Sequence, residues 1–381
     1  MIRIGVLTDM SGPYADITGA GSVLGARMAI EDHHAVDPSL RVELVQADMQ
    51  DKPDVALGIA GKWLDREGVD LILDVPLSSA AFGIATMVKD RDKAAIFTGP
   101  SSSDLTGKAC GPNHLHWVFD TWSVPAATAS ALVSEGGNAW FFIVADYAFG
   151  HALERDTALH VAAAGGKVLG QALTPFPDTT DFAAFLVQAR ASGANVLALA
   201  NAGSDTANCL KQAAEFGLSR GGVRIALLIV QIGTIHAIGL ATAQGALLCE
   251  AFYWDLNDAT RGFSRRFAAR LDGRMPSAVQ AGTYSATLHY LKAVSALGAA
   301  KAKSSGRLVL DEMKAMPTDD PVFGKGSVRL DGRKIHDLYL FQVKTPAESH
   351  QPWDYYKLIR TIPAEAAFRP LKDGGCPLVQ G

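Results

Sequence analysis

The chain has 381 residues, of which 48% are hydrophobic and 19% charged, enough apolar material for sizeable cores and too much for a disordered chain. Thirty-five Lys and Arg against 39 Asp and Glu give a net charge of −4 with no run of like charges, which removes the electrostatic footprint of a duplex DNA binder. No uninterrupted apolar stretch reaches the 18 or so residues of a membrane span, and the length suggests two lobes rather than one core.

From the N-terminus, short apolar runs alternate with helical periods: IRIGVL, a helix near Ser22 to His34, VELVQAD, and a helix near Asp54 to Arg66. In that second helix Ala56, Ile59, Ala60, Trp63 and Leu64 line one face. VDLILDV, a helix from Ser79 to Lys89 and AAIFTG follow, until the polar stretch Ser101 to His116 interrupts the rhythm. A first lobe is expected to close near Phe119. A second series then begins with a helix near Val124 to Glu135, AWFFIVAD, a helix Phe149 to Ala163 and KVLGQAL. It continues with a helix Asp181 to Ala191, NVLALAN, a helix Ser204 to Phe216 and RIALLIV. Near-continuous apolar strands of this kind suit parallel sheets covered on both faces, so the class is α/β. After GALLCEAFYW come helices near Asp258 to Leu271, Ser277 to Leu297 and Leu308 to Met316, then extended GSVRLD and LYLFQVK. These helices have no βαβ unit of their own, so the chain is expected to return to the first lobe.

Several local patterns point to chemistry and also have plainer readings. Strand one ends at Thr8 and Asp9 and opens into a loop of Ser11, Gly12, Pro13 and Tyr14, placed where parallel sheets bind ligands. Ser-Gly-Pro also simply shapes a turn. Strand three ends in Val75-Pro76-Leu77-Ser78-Ser79, where hydroxyls and the free N–H groups of a starting helix make a carboxylate site, or where Ser79 merely caps its helix. Gly19, Gly21 and Gly25 stand about ten residues past their strand, too far for a dinucleotide loop. His33, His34, His114 and His116 read as solvated surface rather than metal ligands, and no GxSxG, HExxH or SxxK motif is present. No enzyme activity, cofactor or metal is expected. Of the four cysteines, Cys110 lies in an irregular loop and Cys376 in a GGCP tail, whereas Cys209 and Cys249 fall in a helix and a strand. A Cys110 to Cys376 disulfide is therefore expected where the compartment is oxidising. The strand following Met1 has no charged-then-apolar leader before it, consistent with a cytosolic chain or a mature exported one.

The segments IGVLTDMSGPYAD, GSVLGARMAIED, VQADMQDKPDVALGIAGKWL, VPLSSAAFGIA, ADYAFG, ANAGSDTANCLKQAAEFGL and PSAVQAGTYSATLHYLKAV follow a family's order. In them the chain resembles the type I periplasmic binding proteins, the substrate-binding subunits of branched-chain amino acid type ABC transporters. CGPNHLHWVFDTW with AFYWDLND and the GGCPLV ending is similar to the branch that binds aromatic acids.

The resemblance implies two Rossmann-like doubly wound lobes joined by three hinge crossings, near Val118 to Ser123, Glu250 to Trp254 and Arg329 to Gly332, closing over a ligand. Lobe 1 would be 1–119 with 253–329, and lobe 2 would be 120–252 with 330–381. It implies a monomer, periplasmic, delivering a small aromatic carboxylic acid of hydroxycinnamate, phenylalkanoate or benzoate type to membrane permease subunits, with no nucleic acid involved. The carboxylate would be held by Ser78, Ser79, Gly99, Pro100 and Ser101, with Tyr14 beside them. Tyr147, in the ADYAFG segment with Asp146, Phe149 and Gly150, would cover the ring. Amino-acid-binding relatives hold an α-ammonium with a tyrosine and an acid after the next two strands. Here Asn201, Gly203 and Gln231 stand there, so a buried ammonium would lack its partner unless Asp205 reached in. Phe252, Tyr253 and Trp254 would line the floor, or pack the hinge, as would Trp117, Phe119, Asp120 and Trp122; Tyr284 reads as core. The alternatives are a branched-chain or other amino acid or amide binder, and a cytosolic ligand-sensing regulator of the same fold.

Overall fold

The opening apolar run forms strand β1 (Ile2–Thr8), every residue of which but Arg3 is buried. In the computed structural model, which describes residues 1–177, 179–218 and 221–379, the chain continues as α1 (Gly19–Val36), β2 (Val42–Asp48), α2 (Pro53–Asp65), β3 (Leu71–Asp74), α3 (Ser78–Asp90), β4 (Ala94–Phe97) and β5 (His114–His116). These strands make one parallel sheet in the order β2-β1-β3-β4-β5. The α2 face does what its spacing requires: Ala56, Ala60, Trp63 and Leu64 are buried. The Trp63 ring lies against Gly5, where a Cβ would approach within 2.6 Å of it.

A second series follows: α4 (Ser123–Ser134), β6 (Ala139–Ala145), α5 (Ala148–Ala163), β7 (Lys167–Thr174), α6 (Ala183–Ala191), β8 (Val196–Ala200), α7 (Gly203–Glu215), β9 (Arg224–Leu227), α8 (Ile232–Ile238), α9 (Leu240–Ala243) and β10 (Leu247–Glu250). Strands β6 to β9 form a parallel sheet in the order β7-β6-β8-β9.

The chain then adds α10 (Asp258–Ala268), α11 (Ala278–Leu297), α12 (Ala299–Ser304) and α13 (Gly306–Ala315), with a small antiparallel sheet of β11 (Thr318–Asp320), β12 (Gly324–Val328) and β13 (Lys334–Ile335). Asn257 with Thr260 and Ser277 with Gln280 form capping boxes that start α10 and α11. Helix α11 packs along α1, and this explains the glycines that might suggest a nucleotide loop. A Cβ at Gly25 would lie 2.5 Å from the Gln280 carbonyl oxygen, and one at Gly21 would run into the Gln280 side chain. Finally β14 (Leu338–Val343) pairs antiparallel with β10 and with β15 (Tyr356–Ile362), and α14 (Ala364–Ala367) follows.

Two units result. Unit 1 is Met1–Phe119, Phe252–Asp337 and Phe368–Gly381; unit 2 is Asp120–Ala251 and Leu338–Ala367. The chain therefore passes from one to the other after residues 119, 251 and 337, and a fourth time after 367. That last passage differs from the expectation that 330–381 stays with the second lobe. Residues 330–337 belong to unit 1 through β13, and the tail is tied there by a disulfide between Cys110 and Cys376, whose Cα atoms are 5.6 Å apart. Cys209 and Cys249 are buried free thiols.

The polar stretch after β4 is more ordered than its composition suggests. It holds a 3-10 turn at Ser103–Thr106 and the edge strand β5, with His114 and His116 buried rather than solvated. Each satisfies a backbone carbonyl: His114 Nε2 lies 2.9 Å from Leu105 O and His116 Nε2 2.7 Å from Pro100 O. Burial pushes His114 down to about 4 and His116 well below the usual imidazole range, so both are neutral. His33 is buried too and meets the Ser295 hydroxyl at 3.2 Å; His34 is exposed.

Candidate functional site

In unit 1 the carboxyl ends of the parallel strands carry a recurring acid: Asp9 follows β1, and Asp48 and Asp74 end β2 and β3. Of the three only Asp9 is named from the sequence, although the signal, an aspartate closing three successive apolar runs, is visible there. Asp9 shapes the first loop by accepting N–H groups from Ser11 (3.2 Å), Gly12 (2.7 Å) and Tyr14 (2.8 Å). Asp48 accepts from the Met10 N–H (2.9 Å) and the Ser11 hydroxyl (2.6 Å), tying β2 to that loop. Tyr14 is buried, so it packs under the loop more than it is displayed. Behind it Asp51 is buried as well, and desolvation, reinforced by the charge of Asp9, pushes its carboxyl up to about 9.

Asp74 is fully buried with left-handed backbone at φ 77°, and Val75 continues at φ 57°. Burial raises its carboxyl to about 6 against the opposing hydroxyls of Thr8, Ser22 and Thr98. The Thr98 hydroxyl lies 3.1 Å from Asp74 Oδ1 and 2.9 Å from the Thr283 hydroxyl of α11. Gly99 allows the next loop to come close: a Cβ there would sit 2.7 Å from Pro76 Cα and 2.8 Å from Asp74 Oδ1.

Two of the proposed carboxylate elements are joined directly. The Ser102 N–H donates to Ser78 Oγ at 3.3 Å, which links the first turn of α3 to the loop of Gly99, Pro100 and Ser101. Ser78 is fully buried, Ser101 nearly so, and Ser79 and Gly99 are half-buried. Ser78 is thus a strut within this arrangement, while the half-buried Ser79 stands in a helix turn whose first N–H groups have no intrahelical acceptor. Phe252 belongs to unit 1 and is core: its ring stands edge-on to Phe263 of α10 at 6.2 Å. Trp117 is likewise interior, donating to the Ser285 hydroxyl at 2.9 Å, and the Tyr284 hydroxyl donates to Asp32 at 2.8 Å.

Unit 2 presents a different surface at its strand ends. Tyr147 precedes α5, is half-buried, and stacks on Phe176 with ring centroids 4.5 Å apart at 23°. Phe149 is buried in the core. Gly150 is required by a close approach, since a Cβ there would run into the Ala145 carbonyl oxygen. After β8, Asn201 is fully buried; its Oδ1 accepts from the Thr206 hydroxyl at 2.8 Å, while Nδ2 has no hydrogen-bond partner among the described residues. Asp205, in the first turn of α7, is 2% exposed with Oδ2 unpartnered among the described residues, and burial alone pushes it up to about 7. Gln231 precedes α8 and donates to Glu250 Oε2 at 3.2 Å. Burial raises the Glu250 carboxyl well above the usual range, against the opposing hydrogen bond from Gln231. Glu250 was not singled out in the sequence because it closes an ordinary apolar run, and nothing marks it before β10 and the Gln231 turn are placed side by side.

A family model described as periplasmic binding protein matches residues 1–350. A solved periplasmic binding protein from Burkholderia mallei is 42% identical, over 100% of this chain and 99% of that one, with a TM-score of 0.95. A branched chain amino acid ABC transporter periplasmic ligand-binding protein from Burkholderia xenovorans is 37% identical, over 99% of this chain and 100% of that one, with a TM-score of 0.86. A solute binding protein from R. palustris, solved in complex with benzoate, shares the fold at 18% identity, over 99% of each chain, with a TM-score of 0.84. No protein among the curated sequences matches the chain.

Proposed function

The chain belongs to the periplasmic binding protein family, as a solute-binding protein of the ABC transporter kind, and we propose that its solute is a small aromatic carboxylic acid captured outside the cytoplasm for a membrane permease. In this reading the carboxylate takes the donors of the α3 first turn at Ser78 and Ser79 and those of the Gly99–Pro100–Ser101 loop, with Tyr14 supporting that loop. Tyr147 meets the ring, and Asn201 and Gln231 meet its polar substituents. The observation that carries the aromatic reading is the half-buried Tyr147 ring stacked on Phe176, a flat apolar surface at the end of a strand.

A second reading has its own support. Among the described residues no cation acts on the buried carboxyls of Asp205 and Glu250, a pattern that suits a ligand bringing an ammonium, as a branched-chain or other amino acid would. The two are separated by thermal unfolding with benzoates, phenylacetates, hydroxycinnamates, leucine-like amino acids and short amides, since a ligand of the native state raises the midpoint. Aromatic acids alone are expected to raise it by several degrees. A rise with amino acids alone would overturn the aromatic reading and leave the solute-binding protein standing.

A further inference from the structure

We propose that unit 1 holds a compact monovalent anion in its interior, between the ammonium of Lys334 and the ring of His336. Strand β13 and the residues beside it bury three basic side chains, Arg333, Lys334 and His336, each with no exposed surface. Arg333 donates through Nη1 to the Phe119 carbonyl (3.1 Å) and through Nε to its neighbour's carbonyl (3.0 Å), with its guanidinium 4.9 Å over the Phe368 ring. Lys334 is placed differently. Its Nζ stands 4.6 Å from the centre of the Phe323 ring and 5.5 Å from that of Trp117, and no acceptor reaches it among the described residues. The His336 ring lies 4.4 Å from the same Phe323 ring, and neither of its nitrogens has a hydrogen-bond partner among the described residues. The three unpartnered nitrogens thus share one aromatic wall.

The local charge balance points the same way. Asp331 is taken by Arg329 (2.6 Å) and by the Arg333 N–H (3.0 Å). Asp320, the acid that acts on Lys334 from a distance, is committed to the N–H groups of Val322 (3.0 Å) and Phe323 (2.8 Å) and to the Ser285 hydroxyl (2.6 Å). Both acids are thus engaged, and among the described residues the Lys334 ammonium meets no acceptor. Burial lowers Lys334 only to about 8, so the ammonium keeps its proton at neutral pH, and a buried ammonium needs an acceptor. His336, held well below the usual imidazole range by burial and by Lys334, is neutral and offers one ring N–H. An anion of one charge accepts from both. It would also brace the segments ending at Phe119 and Asp337 and starting at Phe368, which carry three of the chain's passages between units.

The test uses the whole protein with halide as probe. Crystals soaked in bromide are expected to give an anomalous peak within hydrogen-bonding reach of Lys334 Nζ. In solution, the unfolding midpoint is expected to rise by a few degrees over about a hundredfold range of chloride at constant ionic strength, with gluconate replacing it, and Lys334→Met should lose that rise. Should the variant fail to fold, the bromide map of the unaltered protein decides alone. A map with water but no bromide there, or a midpoint indifferent to the anion, overturns the proposal.

Discussion

The strand ends of the two units solve the same placement differently. In unit 1, hydrogen bonds run from one strand end to the next: Asp48 holds the loop after β1, Thr98 reaches Asp74, and Ser102 reaches Ser78. In unit 2, Asn201 Oδ1 accepts from Thr206 only five residues on, and among the described residues Asn201 Nδ2 and Asp205 Oδ2 stop without a partner; unit 1 also leaves both Asp51 oxygens and Asp74 Oδ2 unpartnered, but its strand ends are linked to one another. A cross-linked end keeps its shape before a ligand arrives. An end with open polar groups costs stability in the free protein and recovers it only from a ligand that supplies the matching atoms, so discrimination belongs there. Polar substitutions should then cost folding in unit 1 and binding in unit 2.

The largest expected effect tests whether unit 1 is the more constrained of the two. Its tail is fastened across a sequence separation of 266 residues by Cys110–Cys376, whereas the described cysteines of unit 2 are free thiols. Replacing both bridge cysteines by serine should lower the stability of unit 1 by roughly 2–4 kcal/mol, because the unfolded chain regains the freedom the link removes. Differential scanning calorimetry should show one transition moving down while the one assigned to unit 2 stays; a common shift of both would erase the distinction.

A smaller effect compares the strand ends themselves. Ser78→Ala leaves the Ser102 N–H buried without its acceptor and should destabilise by about 1–3 kcal/mol in urea titrations. Asn201→Ala removes a side chain whose Nδ2 is already unpartnered, so its cost in the free protein should be under about 1 kcal/mol, while ligand affinity by calorimetry should fall about tenfold. The comparison breaks if the two substitutions cost the same in folding.

How far this was legible in the sequence follows the same division. Periodicity found α2 and the apolar strands because their burial is what the pattern encodes. It passed over β5, three residues with histidines at both ends, because a buried histidine bonded to a carbonyl looks like a surface one in sequence. It passed over β15 because five of its residues are exposed, which leaves no apolar alternation to read. At the site, Ser78, Gly99 and Ser101 stood out because turn and cap chemistry leaves a local mark. Asp51, Asp74 and Glu250 did not, since what sets them apart is desolvation by residues distant in the chain.

The smallest expected effect is a matter of pH, and it separates the two ends once more. Asp74 is raised by burial to about 6, above its ordinary 3.8, so the fold prefers its protonated form. The stability it contributes is present in full below the ordinary value and is lost as pH rises through the raised one. Asp205, raised to about 7, follows the same sign over a window that reaches slightly higher. Asp74→Asn should therefore flatten the fall in stability of unit 1 between about pH 4 and pH 6, and Asp205→Asn that of unit 2 up to about pH 7. Only the second should also change ligand affinity, because the hydroxyls of Thr8, Ser22 and Thr98 act on Asp74 whereas burial alone acts on Asp205. Urea midpoints and calorimetric affinities measured across this range on both variants would expose the reverse, an Asp74 that tunes binding, and so reassign discrimination to unit 1.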